Sequence, residues 1–305
     1  MKKMPYTMGS YPLAVVTRGK VYVGGGWALF NDHKRTVMEY DPYRDEWATL
    51  PQYNHTHFGM AVWNDHLVLV GGIHVMTKEQ SPTLGVLTDV TWKHPFLPMP
   101  TARRSPTVVM SDNRWLVVIG GKCKDDGTQL SDVEVLDTTS DCWYKCAPLP
   151  QPLSHGSAAT IGSKCYILGG FLSGGSPSKK VFSVSLEDLI AQATSSRFNA
   201  SVSVSMPSHV LWQTLPDTPL IYSTALAVNG ALLAIGGEWM WLTYRAIYAY
   251  QPANSKHNWI KVGDLPTGRA RCACTVLSSV AVLVAGGSTS IDSSLSQTVD
   301  VAELL

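Results

Sequence analysis

No apolar run in this chain approaches the roughly 18 residues that a membrane-crossing helix needs, because each one stops at a glycine after a few positions. Charge is scarce too: charged side chains make up 15% of the 305 residues, and 24 basic against 23 acidic groups leave a formal net charge of +1. A chain so balanced has no global field to recruit nucleic acid or an anionic membrane surface. The six cysteines follow no regular spacing. Cys272 and Cys274 point to one side of a strand by period two, but no second close pair completes a zinc-ligand pattern, so all six are read as reduced packing thiols. Neither a Gly-rich phosphate loop nor a nucleophile elbow occurs, which ranks nucleotide and ester hydrolysis low, and no cofactor or metal is expected. Met1-Lys2-Lys3 begins like a secretory n-region, yet Pro5, Gly9 and Pro12 interrupt the stretch after it; no signal peptide is read, and a cytoplasmic protein is expected.

Glycine pairs are abundant. Short apolar runs such as Val21-Tyr22-Val23, Val68-Leu69-Val70 and Tyr166-Ile167-Leu168 each close on Gly-Gly, at 24, 71, 120, 169, 236 and 286. The first glycines lie 47, 49, 49, 67 and 50 positions apart, so one unit of about 50 residues runs six times from end to end and predicts a single array over 1–305. Each unit parses as four strands. In the second, Phe58 to Trp63 alternates, Asn64-Asp65 turns the chain, and His66 to Val70 runs into Gly71-Gly72. A third strand ends near an acidic residue or turn, as at Glu39-Tyr40-Asp41. A fourth carries a tryptophan and stops at Leu-Pro or Met-Pro. Trp47, Trp92, Trp143, Trp212 and Trp259 occupy that place and are read as packing anchors between adjacent sheets, not as ligand-stacking rings.

Gly-Gly, the aromatic-acidic third strand and the spaced tryptophan together make the chain resemble a kelch-repeat β-propeller, over nearly its whole length. That resemblance implies an all-β fold of six blades, each a four-stranded antiparallel sheet, around a central channel. Two departures stand out. From first glycine to tryptophan the distance is 23, 21, 23, 43 and 23 in units one to five, which predicts an insertion over 185–208 in blade 4, with a short helix near Glu187–Ala193, on the face opposite the loops after Gly-Gly. The sixth tryptophan falls beyond both ends of the chain. The last blade is therefore expected to be closed by the N-terminal segment, with Lys2-Lys3-Met4-Pro5 matching a strand exit, or to lack one strand, as in the propeller portion of a longer protein.

In such a propeller the loops between the second and third strands share one rim with the blade entries. Counting 14 residues back from each first glycine gives Ser10, His57, His155 and Tyr222; longer hairpins in units three and six add Arg104 and Arg271. The loops after Gly-Gly contribute Trp27, Phe30, Phe171, Trp239, Trp241 and Tyr244, with Lys34, Arg35, Lys122, Lys124 and Arg245 among them. Aromatic rings and arginines dominate binding hot spots. The set is similar to the ring with which BTB-kelch adaptors capture peptides, and it implies a monomeric propeller binding a protein or peptide partner, an acidic segment being one candidate.

Two other classes stay open. Some kelch propellers are enzymes, including copper-radical oxidases and a sialic-acid mutarotase. No Tyr-His dipeptide supports the first; Glu238 beside Arg271 would suit acid-base work of the second kind. His55-Thr56-His57 puts two imidazoles on one side of an extended segment without a nameable third ligand. A cytoskeletal scaffold binding actin is the remaining alternative.

Overall fold

The computed structural model describes residues 1–303 except 9, 28–35, 90, 124–127, 196–210, 241, 254–257, 280 and 290–295, and leaves the side chains of 27 and 195 undescribed. Five four-stranded antiparallel sheets and one three-stranded sheet form six blades. Their inner strands, Ser10–Thr17, Gly59–Trp63, Thr107–Ser111, Ser157–Ile161, Thr224–Val228 and Ala273–Ser278, touch one another in a closed circuit. The circuit encloses an axial cavity of about 600 Å³.

Period-two alternation gives every blade two apolar faces, and the core divides accordingly into six clusters, one in each gap between neighbouring blades. Val133 and Val135 of blade 3, for example, meet Cys165 and Ile167 of blade 4. The five tryptophans tie each blade to the segment leading into it. Their indole N–H groups donate to the carbonyls of Lys2, Pro51, Leu97, Ala147 and Pro216 at 2.9 to 3.1 Å. A large ring in the gap with its polar edge satisfied is the anchor expected of these residues.

Blade 6 has three strands among the described residues, Ala273–Ser278, Ala281–Ala285 and Val299–Glu303. Met4 lies where the other blades have their exits: its N–H donates to Gln297 O at 3.0 Å, as Met99 N–H does to Pro82 O and Leu149 N–H to Ser131 O, both at 2.8 Å. Met4 and Met8 are buried in the gap between blades 6 and 1. In blade 4 a helix, α1 (Leu186–Ser195), follows the third strand. It does not stand away from the body, since Leu189 is fully buried against blades 3 and 4 and Gln192 accepts the Ala147 N–H at 3.0 Å. The rest of the expected 185–208 insertion, from 196, lies outside the described residues.

The glycine pairs end the second strands with left-handed backbone. A Cβ on Gly72 (φ 103°) would stand 2.4 Å from Thr56 O, and one on Gly71 would stand 2.5 Å from Arg103 O of the next blade. Gly162, in the open turn between Ile161 and Lys164, also has positive φ (57°) but nothing within 4 Å of a Cβ. The pair separates two costs. Gly162→Ala should lose only the left-handed penalty, about 1–2 kcal/mol, whereas Gly72→Ala adds an overlap with backbone and should lose about 3 kcal/mol or more. Denaturant titration of both variants measures the difference.

Candidate binding rim

Where each blade is entered, one residue other than glycine takes left-handed φ: Tyr11 (63°), His57 (57°), Ser105 (50°), His155 (56°), Tyr222 (58°) and Arg271 (55°). Backbone bonds link them around the axis. Arg271 O accepts from Tyr11 N and Tyr222 O from Arg271 N, both at 3.0 Å, while His57 O accepts from Ser105 N at 2.7 Å and Ser105 O from His155 N at 3.1 Å. Each left-handed residue costs about 1–2 kcal/mol, and these bonds, in two arcs from Tyr222 to Tyr11 and from His57 to His155, offset part of that cost. The residue before each ring member forms a bridge with the residue after the glycine pair: Ser10 with Trp27, Thr56 with Ile73, Arg104 with Lys122, Ser154 with Phe171, Ile221 with Glu238 and Ala270 with Ser288.

The six rim residues expected from counting therefore divide between two registers. His57, His155, Tyr222 and Arg271 are ring members; Ser10 and Arg104 sit one residue earlier, in the bridge, and Tyr11 and Ser105 hold the ring position of blades 1 and 3. In blade 1 three glycines follow one another, and the left-handed pair is Gly25-Gly26 (75° and 89°), not Gly24-Gly25; Gly24 is an ordinary strand residue opposite Leu13. Fourteen residues back from Gly25 is Tyr11. In blade 3 the turn between Ser111 and Trp115 has three residues where blade 2 has two, so the ring residue lies fifteen back from Gly120, at Ser105, and the longer hairpin allowed for in reaching Arg104 is one residue too long. The residue two before Ser105, Arg103, is structural. Fully buried, it pairs with Glu134 at 2.9 Å and donates to Gly120 O and Asp132 O, as Arg269 in blade 6 pairs with Asp300 at 2.7 Å and donates to Gly286 O and Thr298 O.

Two chemically different halves make up the mouth. Tyr11 packs against His155, Phe171 and Tyr222 at ring separations of 5.0, 5.7 and 6.1 Å, and its hydroxyl accepts from Arg271 Nε at 3.0 Å. Arg271 lies 4.0 Å over the Tyr222 ring and pairs with Glu238 at 3.0 Å, so the carboxylate and cation expected from adjacent blades do meet. Burial pushes the Tyr11 phenol well above its ordinary range, against the pull of Arg271. Across the mouth stand Arg104 and Lys122. Each donates its backbone N–H to the other's carbonyl, at 3.1 and 2.8 Å, and no carboxylate of the described residues lies within ion-pair distance of either side chain. Burial first, then the charge of Arg104, lowers the Lys122 pKa.

The loop aromatics differ in exposure. Phe171 is half-buried in the Tyr11 cluster. Trp239 is 43% exposed and Tyr244 36%, on a small hairpin (Glu238–Trp239 with Leu242–Thr243) that also presents Met240 at 73% and Leu242 at 51%; Lys179 Nζ stands 3.9 Å above the Trp239 ring. Trp241, Phe30, Lys34, Arg35 and Lys124 lie outside the described residues, as does the side chain of Trp27. His55 and His57 part company: His57 joins the ring, and His55 lines a separate pocket with His74, His94, Tyr53 and Trp92. Among the described residues no three His, Cys, Asp or Glu side chains converge as metal ligands.

The sequence profile of the KLHDC2/KLHL20/DRC7 Kelch-repeats domain matches residues 55–287, and that of the Kelch motif matches residues 8–52. The chain belongs to the kelch-repeat family. Among curated kelch proteins it is similar to the human Kelch repeat and BTB domain-containing protein 13 (34% identity over 146 residues, 46% of this chain and 31% of that protein). It is also similar to the Caenorhabditis elegans Kelch repeat-containing protein kel-10 (26% over 156 residues, 48% and 26%). It thus spans less than a third of the length of these kelch relatives. The solved structure titled "Structure of YjhT" superposes with a TM-score of 0.76 over 98% of this chain and 95% of that one, at 13% identity, a likeness of fold alone.

The kelch ring also titrates. Burial, then the charges of His57, Lys122 and Arg104, lower the His155 pKa to about 3, and burial, then His74 and His94, lower that of His55 to about 4. Both are depressed below the ordinary 6.5 of an unfolded imidazole. Their full stability contribution is present above that value and is lost as pH falls towards the folded pKa, because the unfolded chain then binds protons that the native state refuses. Thermal midpoints should therefore drop by several degrees between pH 7 and pH 5, and by less in His155→Asn. An equal drop in the variant would exclude His155 as a source.

Proposed function

We propose that the mouth rim of this kelch propeller is a protein-docking surface that takes an extended, acidic segment of a partner. The observation that carries this reading is the Arg104–Lys122 pair, two half-buried cations side by side with no carboxylate among the described residues to neutralise them. A partner's Asp or Glu would relieve that repulsion and accept a bidentate guanidinium contact. On the far side of the mouth the Trp239–Tyr244 hairpin offers apolar area of the kind that supplies binding hot spots, while the Tyr11 cluster gives the segment a firm floor. The propeller acts as a cytoplasmic, monomeric, non-enzymatic module. Its kelch relatives include proteins named for a BTB domain as well as kelch repeats, which supports a role as the recognition part of a longer adaptor.

The Arg271–Glu238 pair with the Tyr11 hydroxyl favours a second reading, an acid-base site such as a sugar mutarotase needs. Its weakness is that Glu238 is already held by Arg271 and buried. An assay of sialic-acid anomerisation addresses it directly.

An array of acidic peptides and their Asp→Asn, Glu→Gln counterparts tests docking. Acidic members should be retained, with affinity falling about tenfold or more, some 1.4 kcal/mol, in Arg104→Ala and in Lys122→Ala and weakening with salt. Lys164→Ala, on the opposite rim, should change nothing. Equal capture of the acid and amide series would sink the reading.

A further inference from the structure

Ser105 carries the smallest of the six ring side chains, and it stands between two imidazoles. Its N–H donates to His57 O at 2.7 Å and its carbonyl accepts from His155 N at 3.1 Å, and all three residues line the axial cavity at the mouth. Its hydroxyl is buried, on a residue only 6% exposed, and has no hydrogen-bond partner among the described residues. A buried polar group of this kind calls for a partner that the protein does not itself supply. The flanking rings are held from behind: Nδ1 of His57 lies 3.0 Å from the Thr56 hydroxyl, and Nδ1 of His155 lies 3.3 Å from that of Ser154. Arg104 precedes Ser105, Lys122 is bridged to Arg104, and both cations are near enough to His155 for their charges to help keep its imidazole neutral. Basic groups of blades 2, 3 and 4 thus gather around one unsatisfied hydroxyl. Glu238, on the other half of the mouth, is already engaged by Arg271.

One carboxylate matches one of the two cations and leaves the second unmatched. A phosphomonoester carries about −1.5 to −2 charge at pH 7 and presents three strong acceptor oxygens. It therefore equals Arg104 and Lys122 in charge, and it has an oxygen for each of the guanidinium, the ammonium and the Ser105 hydroxyl. We propose that Arg104, Ser105 and Lys122 form a phosphate site, and that the partner segment docked on this rim carries a phosphorylated side chain. The inference rests on the docking reading above and narrows its partner. A segment suits the place better than free phosphate does, because the same mouth carries the exposed apolar Trp239–Tyr244 hairpin, which a phosphate alone cannot use.

The test titrates the whole chain with peptides of degenerate flanks, identical except for a central serine, phosphoserine, aspartate or glutamate. Phosphoserine members should bind about tenfold more tightly than aspartate or glutamate members. Lys122→Ala should erase that preference, Ser105→Ala should weaken phosphoserine binding about fivefold, and Lys164→Ala, on the opposite rim, should change neither. Equal binding of phosphoserine, aspartate and glutamate, all above serine, overturns the phosphate site and leaves acidic docking standing. Failure to distinguish any of the three from serine overturns both. Free O-phosphoserine or inorganic phosphate bound as tightly as the phosphopeptide overturns the assignment to a partner segment. If the variants fail to fold, phosphorus-31 NMR of the phosphopeptide on the unmodified protein decides: the phosphate, whose second pKa is about 6 in water, should titrate below about 5 when two cations hold it. A bound phosphate still titrating near 6 overturns the site.

Discussion

Everything in this propeller hangs on the close approach of glycine backbone to the carbonyls that open its own blade and the next. Gly72, Gly121 and Gly237 donate their N–H groups to Arg103 O, Leu153 O and Arg269 O of the following blade at 2.9, 2.8 and 2.7 Å. A side chain at these positions would collide with Thr56 O, Arg104 O and Ile221 O respectively. Glycine is needed here for two reasons at once, a left-handed backbone and the space for another chain to pass. The contact sets the wedge angle between blades. The tryptophans and the six apolar clusters then fill the gaps that this angle leaves.

The same contact builds the rim. Holding the entry segment against the glycine pair obliges the next residue to turn into left-handed conformation, and the backbone ring from Tyr222 through Arg271 to Tyr11 stabilises that turn. Side chains at a fixed, strained position in every blade converge on one axis. Their role there depends on identity, not geometry. Blades 1, 4, 5 and 6 close over the cavity with stacked rings and a paired arginine; blade 3, with Arg104 and Lys122 in its bridge, leaves positive charge unpaired among the described residues. Strain of this kind concentrates at functional sites because the surrounding structure has to over-determine it.

The blades were legible in the sequence because their cause is periodic. Glycine pairs, tryptophans and Leu-Pro or Met-Pro exits recur at spacings that chain geometry enforces, and even the placement of Met4 at a blade exit followed from counting. The rim was legible only to within one residue. Counting cannot tell which two of Gly24, Gly25 and Gly26 are left-handed, since glycine tolerates either choice and φ is set by the partner carbonyl. Nor can it fix how much longer the hairpin after Ser111 is: one extra residue places Ser105 on the ring, where an allowance of two gives Arg104. The ion pair of Arg271 with Glu238 was anticipated from adjacency. The stacking of Tyr11 on residues of blades 4 and 5 was not, because it crosses the axis between segments more than 140 residues apart and leaves no local pattern. Phe171 and Trp239 look alike in sequence and differ in exposure for the same reason.

If one rim of the propeller is its working face, it is the rim that carries the left-handed ring. Hydrogen exchange read by mass spectrometry, on the propeller alone and with a captured protein partner, tests this most directly. New protection is expected over the entry and bridge segments around 54–57, 103–105, 122, 221–222 and 238–244, with the hairpin turns on the opposite face unchanged. Protection confined to those turns, at 64–65, 112–114, 162–163 and 229–230, would contradict it.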